Sequence, residues 1–126
     1  MTTVWYKPYM RGNDRPVPYI TSASSEYDVP VWGAWRAFSG NESTVEQGDC
    51  WASKHYVWNA WVQIDYNAPR RVTRYRMRPR LGNPRSAVPA MAKDWALFGS
   101  NDGVNFVKLH EETNYLLWDS ASSWRE

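Results

Sequence analysis

Asp94-Trp95-Ala96-Leu97-Phe98-Gly99-Ser100-Asn101-Asp102-Gly103-Val104-Asn105-Phe106-Val107-Lys108-Leu109 is the stretch whose reading decides the fold. Two short apolar runs flank Ser-Asn-Asp-Gly, and Asp-Gly between apolar segments is a strong hairpin signal. Gly103 supplies the positive φ that closing such a turn needs, at no steric cost. Asn101 and Asp102 can hydrogen-bond nearby backbone groups and tolerate left-handed conformations. The stretch therefore predicts a β-hairpin with aromatic anchors, Trp95 and Phe106, one on each arm.

Composition agrees with a β architecture. The chain has 126 residues, a length suited to one domain with a real core. Nine Trp, eight Tyr and three Phe favour strands, and eight prolines with seven glycines interrupt the chain too often for long helices. No run approaches the length of an apolar membrane span. Met1–Tyr6 lacks the basic start and apolar core of a secretion signal, so the expectation is a protein first retained in the cytoplasm. The single cysteine, Cys50, excludes an internal disulfide framework and reads as a small packing residue. Net charge is +2, but seven of the eleven arginines (Arg70, Arg71, Arg74, Arg76, Arg78, Arg80 and Arg85) fall between Tyr66 and Lys93, where no Asp or Glu occurs.

Outward from the hairpin, residues 1–18 are rich in Pro, Tyr and Arg and read as an irregular arm wrapping over the domain or a neighbour. Residues 19–126 read as the domain itself. Tyr19–Ser22 is a candidate first strand, and residues 23–31 form a surface loop. Trp35 and Phe38, three apart, predict one helical turn with Gly40 as its stop. Ala60–Tyr66 alternates, with Val62, Ile64 and Tyr66 on one face and Trp61, Gln63 and Asp65 on the other, as a half-buried strand does. Asn67-Ala68-Pro69 is a turn. Arg70–Arg78 is expected as the next strand, with Val72 out of phase and marking a bulge. Pro79–Lys93 is a long connection, and long loops in small domains are commonly functional. If strands 60–66, 70–78, 94–99 and 105–109 alternate in direction, loops 53–59 and 79–93 converge at one end, opposite the turns at 67–69 and 100–104. Binding loops are often displayed in this way on a rigid scaffold.

Several blocks, taken together, resemble a known family. These are Ala34-Trp35-Arg36-Ala37-Phe38-Ser39-Gly40-Asn41, Trp51-Ala52-Ser53, Trp61-Val62-Gln63-Ile64-Asp65-Tyr66 with Val72 and Tyr75, and Trp95–Phe106 with Leu109. The series, over about residues 30–112, resembles the discoidin domain, the coagulation factor V/VIII C-type module of the galactose-binding-like superfamily. The resemblance implies an all-β jelly-roll β-sandwich with little helix. It also implies a mostly non-catalytic binder of glycans, lipids or proteins that uses loops at one end, in a family also found in bacteriophage tail proteins. It further implies that Trp35, Trp51, Trp61 and Trp95 are core residues.

Three departures from the family pattern matter. Ser39 stands where the family usually has Asp, a residue some glycan-binding members use near a structural calcium. Calcium wants six to eight oxygen ligands, and the local donors shrink to Asn41, Glu42 and backbone carbonyls. No cofactor is therefore expected. Phe106 replaces the usual Trp, which reads as a conservative core exchange. The chain also stops at Glu126, before the family's closing strands. An open sheet edge is normally covered, so residues 113–126 or a neighbouring chain are expected to complete the sheet within an oligomer.

Catalysis has little support. His55 and His110 lack companions at metal-ligand spacing, and no nucleophile elbow or phosphate loop is present. The arginines read mostly as the solvated face of a strand, protecting it from edge pairing. The sharper reading is an anionic partner: nucleic acid, acidic glycan or an acidic protein surface. An inward-facing Tyr75 could not stack on bases, which disfavours nucleic acid.

The candidate ligand-binding residues are His55, Tyr56 and Trp58 in one loop, and Arg80, Asn83 and Arg85 in the other. Aromatic rings suit sugar C–H faces, and Arg and Asn suit hydroxyls. Each could equally pack its own loop or contact a partner subunit. The expected function is a phage virion module, in a tail fibre, tail tip or baseplate, that recognises host-surface carbohydrate. The alternative is a structural virion subunit, for capsid decoration or tail assembly, whose loops and termini bind neighbouring virion proteins. Assembly in the host cytoplasm would reconcile a recognition module with the absence of a signal.

Overall fold

The alternation at Ala60–Tyr66 does produce a strand. In the computed structural model, which describes residues 7–27, 31–40, 50–79 and 92–118, β1 (Ile20–Ala23) pairs antiparallel with β2 (Val62–Asp65). Thr21 lies opposite Ile64 and Ala23 opposite Val62, so these four share one face, as the period-2 pattern requires. A short 3-10 helix, Ala34–Phe38, forms where one helical turn was expected, and Gly40 follows it at φ +70°. The chain divides into two units, Met1–Ala68 and Pro69–Glu126.

In the first unit, the N-terminal segment packs on its own unit through backbone and side-chain hydrogen bonds. Met10 is buried, and its N–H donates to the Phe38 carbonyl at 3.1 Å. Asn13 is the hub. Its Oδ1 accepts from Thr21 Oγ1 at 2.9 Å and from Trp35 N–H at 3.0 Å, while its Nδ2 donates to Glu26 Oε1 at 3.2 Å. The same Glu26 oxygen accepts from Ala34 N–H at 3.2 Å. One side chain thus ties the arm, β1 and the 3-10 helix together. It also satisfies Thr21, which is only 3% exposed and would be costly to bury without a partner. The turn after β2 is fixed by Asn67, at φ +53°. Its N–H donates to Asp65 Oδ1 at 2.7 Å, and its Nδ2 donates to the Pro18 carbonyl at 2.9 Å.

In the second unit, β3 (Trp95–Gly99) and β4 (Val107–Glu112) form the expected antiparallel hairpin. Its connection is longer than the Ser-Asn-Asp-Gly turn alone, and β4 extends three residues beyond Leu109. Leu97 faces His110 and Phe98 faces Lys108, so Leu109 is an extra residue and the bulge lies here. Asp102 organises the loop. Its Oδ1 accepts from the N–H groups of Val104 and Asn105 at 2.8 and 2.7 Å, and its Oδ2 accepts from Asn105 Nδ2 at 2.7 Å. Gly103, at φ +73°, donates its N–H to Ser100 Oγ at 2.9 Å. Residues 113–118 form no strand but fold back on the start of β3. Asn114 N–H donates to Asp94 Oδ1 at 2.7 Å, Tyr115 N–H to the Lys93 carbonyl at 2.9 Å, and Trp118 Nε1 to the Ala92 carbonyl at 2.8 Å. The rings of Trp95, Tyr115 and Trp118 stack among themselves with centroids 4.9–5.7 Å apart.

Four expectations are corrected. Arg70–Arg78 is not a strand, and only Met77 holds a bridge position. Pro69 cannot donate to a ladder, and residues 70–74 are exposed while 75–78 are half-buried. With that strand absent, the alternation that was to gather loops 53–59 and 79–93 at one end loses its premise. Trp61 is not core: it is 49% exposed, on the face of β2 opposite Val62 and Ile64. Phe106 is 48% exposed and precedes β4, so it is not a core anchor.

Candidate functional site

The loop between Trp51 and Trp61 is held at its base and open at its tip. Ser24 clamps one end: its N–H donates to the Trp61 carbonyl at 2.9 Å, and its Oγ accepts from Trp61 N–H at 2.9 Å. Ser25 clamps the other, its Oγ accepting from Lys54 N–H at 3.2 Å and its carbonyl from Trp51 Nε1 at 3.0 Å. Tyr27 N–H donates to the Ala52 carbonyl at 2.8 Å, and Ala52 N–H to the Trp32 carbonyl. The loop base is therefore stitched to residues 24–27 and 32 by backbone and short side chains.

Above this base the side chains are aromatic. The rings of Tyr27 and His55 meet edge-on with centroids 4.6 Å apart, and Tyr27 also meets Trp32 at 6.3 Å. Tyr56 leans on His55 at 6.1 Å. Tyr56 is 94% exposed and Trp58 is 84% exposed. Among the described residues Trp58 has no ring contact. Tyr56 and Asn59 hold φ at +60° and +57°. For Asn this is mild, but for a tyrosine the left-handed region costs on the order of 1 kcal/mol or more, and such residues concentrate at functional loops.

Of the sequence-predicted residues, His55 and Tyr56 lie together and Trp58 projects from the same loop. Arg80, Asn83 and Arg85 lie outside the described residues, as do Asn41 and Glu42. Sequence reading missed Tyr27 and the two serines before it. Tyr27 is a lone aromatic in a polar stretch, and its edge contact to His55 was the only signal available, visible once the loop base is folded. Ser39, in place of an aspartate, donates its hydroxyl to the Arg36 carbonyl at 3.2 Å. It closes the 3-10 helix and offers no carboxylate to a calcium ion, so residue 39 does not fit that metal.

The second unit carries a different feature. An open groove of about 540 Å³ runs along the hairpin, lined by Tyr75, Met77, Trp95, Leu97, Leu109 and His110 among others. Trp95 Nε1 donates to Tyr75 Oη at 3.0 Å, and Tyr75 Oη is hydrogen-bonded to His110 Nδ1. The tyrosine oxygen accepts from Trp95 and, according to the imidazole tautomer, donates to or accepts from His110 Nδ1. The polar atoms on this apolar face thus satisfy one another, and the face reads as packing surface.

Among the described residues no group of three or more His, Cys, Asp or Glu could hold a metal ion. No helix among them is long and apolar enough to cross a membrane. Comparison with curated proteins and with solved structures gives no match. Comparison with family models gives one, the F5/8 type C domain, over residues 20–123, which takes in both hairpin strands, β1, β2, the 3-10 helix and the aromatic loop. The chain therefore belongs to the F5/8 type C (discoidin) domain family, whose fold is the galactose-binding-like β-sandwich and whose members are generally non-catalytic modules that bind carbohydrate or other ligands.

Proposed function

We propose that the chain recognises carbohydrate through the loop at residues 53–59, with Tyr56 and Trp58 as ring platforms for sugar C–H faces. The observation that carries this reading is the contrast between a hydrogen-bonded loop base and two almost fully exposed rings at its tip. A pre-shaped loop loses less entropy on binding than a mobile one, and aromatic rings exposed on it contribute apolar area at small rotamer cost. His55, met edge-on by Tyr27, contacts Tyr56 in turn. The setting proposed is a phage particle, in a tail fibre, tail tip or baseplate, because this family also occurs in bacteriophage tail proteins.

A glycan array tests the reading. The expected result is a defined set of bound glycans, with Trp58→Ala and Tyr56→Ala each weakening binding about tenfold or more and leaving the unfolding midpoint unchanged. An array without hits, combined with tight self-association that the same variants abolish, would assign the loop to contacts between subunits.

A further inference from the structure

We infer that the outward face of the β1–β2 sheet is a second sugar site, continuous with the aromatic loop, so that the domain binds a neutral oligosaccharide along its length. Trp61 stacks on one sugar ring, and Gln63, Ser22 and Asp65 bond the hydroxyls of the units beyond it. This inference rests on the carbohydrate reading above and extends it from a loop tip to a chain of sugars.

The strand register fixes the face. Thr21 and Ala23 lie opposite Ile64 and Val62 on the inner side, where Thr21 is only 3% exposed. The alternate residues point the other way: Ile20 opposite Asp65, Ser22 opposite Gln63, and Ser24 bonded to Trp61 just beyond. Ile20 and Trp61 are each about half exposed, Asp65 is exposed, and Ser22 and Gln63 are half-buried between them. The hydrogen bonds between Ser24 and Trp61 that close the base of the aromatic loop also set Trp61 at the end of the strand. Loop and face therefore meet at one residue. From Trp61 to Asp65 the face runs about 13 Å.

The solvated side of a small antiparallel sheet is ordinarily polar, and a single exposed aromatic on it is common. Two observations set this face apart. Among the described residues, the Trp61 indole N–H, the Gln63 amide and the Ser22 hydroxyl have no hydrogen-bond partner, and Asp65 engages only Oδ1, which accepts from Asn67 N–H at 2.7 Å. These groups also stand in a row and are of the kinds a sugar chain needs: a ring for C–H faces, then an amide, a hydroxyl and a carboxylate oxygen for hydroxyls. The one charge among them is Asp65, so an acidic sugar would meet like charge, and the class assigned is neutral. A protein partner would need a broader apolar centre than Trp61 and Ile20 supply.

The test titrates the intact chain with cello-, manno-, galacto- and chito-oligosaccharides, each from monosaccharide to hexasaccharide, and with polygalacturonate. The expected result is affinity for at least one neutral ladder that rises about tenfold or more with chain length. The double variant Trp61→Ala, Gln63→Ala should lose that rise while keeping wild-type affinity for the shortest sugar bound, which certifies its fold. In the wild-type protein, the Trp61 indole N–H signal should shift with hexasaccharide and stay in place with monosaccharide, a readout that needs no variant. A rise with length undiminished in the double variant would overturn the inference, as would an unmoved Trp61 signal at saturating hexasaccharide or polygalacturonate bound as tightly as the neutral hexasaccharides. Short sugars bound through Tyr56 and Trp58 with no gain from added length would sink this inference and leave the loop's function standing. Long sugars bound through Trp61 and Gln63, with no effect of Tyr56→Ala or Trp58→Ala, would instead sink the loop's role. No sugar of any length bound, with self-association that the double variant abolishes, would overturn both readings and assign the face to a second copy of the chain.

Discussion

Ser24 and Trp61, thirty-seven residues apart, are joined by reciprocal hydrogen bonds: the serine N–H reaches the Trp61 carbonyl and the Trp61 N–H reaches the serine hydroxyl, both at 2.9 Å. This pair closes the base of the aromatic loop just beyond the last β1–β2 register position, Ala23 opposite Val62. Replacing the hydroxyl should loosen the loop without dissolving the sheet. Ser24→Ala is expected to cost about 0.5–1 kcal/mol of stability and to lower carbohydrate affinity several-fold through lost pre-organisation. Chemical denaturation and titration calorimetry on one sample would measure both.

Asn13 should be far less tolerant. Asn13→Ala removes the acceptor shared by Thr21 and Trp35 and leaves the buried Thr21 hydroxyl only its longer, 3.4 Å bond to the backbone carbonyl of residue 13. The expected loss is about 2–3 kcal/mol. Asn13→Asp keeps the acceptor oxygens, but it loses the donor and sets a carboxylate against Glu26, so it should fall between alanine and wild type. Urea unfolding of the three proteins gives the order.

Asp102 makes hairpin stability pH-dependent. The backbone N–H of Asn105, then that of Val104, then the side chains of Asn105 and Ser100 hold its carboxyl well below the usual carboxylate range, and burial opposes this only slightly. A group whose folded pKa is depressed contributes stability above its unfolded pKa, and that contribution fades as pH falls toward the folded value. The hairpin should therefore weaken as pH drops below about 4. Asp102→Ala should flatten this part of the profile and lower the melting temperature at pH 7. A pH series of thermal melts, wild type against variant, reads the difference.

Tyr75 sits between two groups that depend on it. Tyr75→Phe leaves Trp95 Nε1 and His110 Nδ1 without their shared partner. About 1–2 kcal/mol of stability should be lost, with a change in tryptophan emission. Trp95→Phe removes the donor but leaves the Tyr75–His110 bond, so its polar penalty is smaller. Equilibrium unfolding followed by fluorescence and by circular dichroism separates the two.

The local signals that proved legible share a short range. Gly103 at positive φ, Asp102 bonding its neighbours, the helical turn at Trp35–Phe38 and the alternation in Val62–Asp65 all follow from residues within a few positions of one another. The aromatic loop was legible as exposed rings, although its anchoring was not, because Ser24, Ser25 and Tyr27 meet it from about thirty residues away. Arg70–Arg78 misled for a physical reason. Its alternation of arginine with Thr73, Tyr75 and Met77 imitates a half-buried strand, yet a strand also needs a partner ladder, and no pattern within one segment can supply that. Trp61 misled likewise, since an aromatic in a family block looks like core until the strand's second face is seen to be open.

The most direct measurement of the central claim is a two-dimensional NMR titration of the labelled protein with a glycan identified on the array, following the tryptophan indole N–H signals. The account predicts that Trp58 Nε1–H shifts progressively with ligand, while Trp95 Nε1–H, bonded to Tyr75, does not. Shifts confined to Trp95 and the Ser100–Phe106 loop, with Trp58 unchanged at saturation, would contradict it.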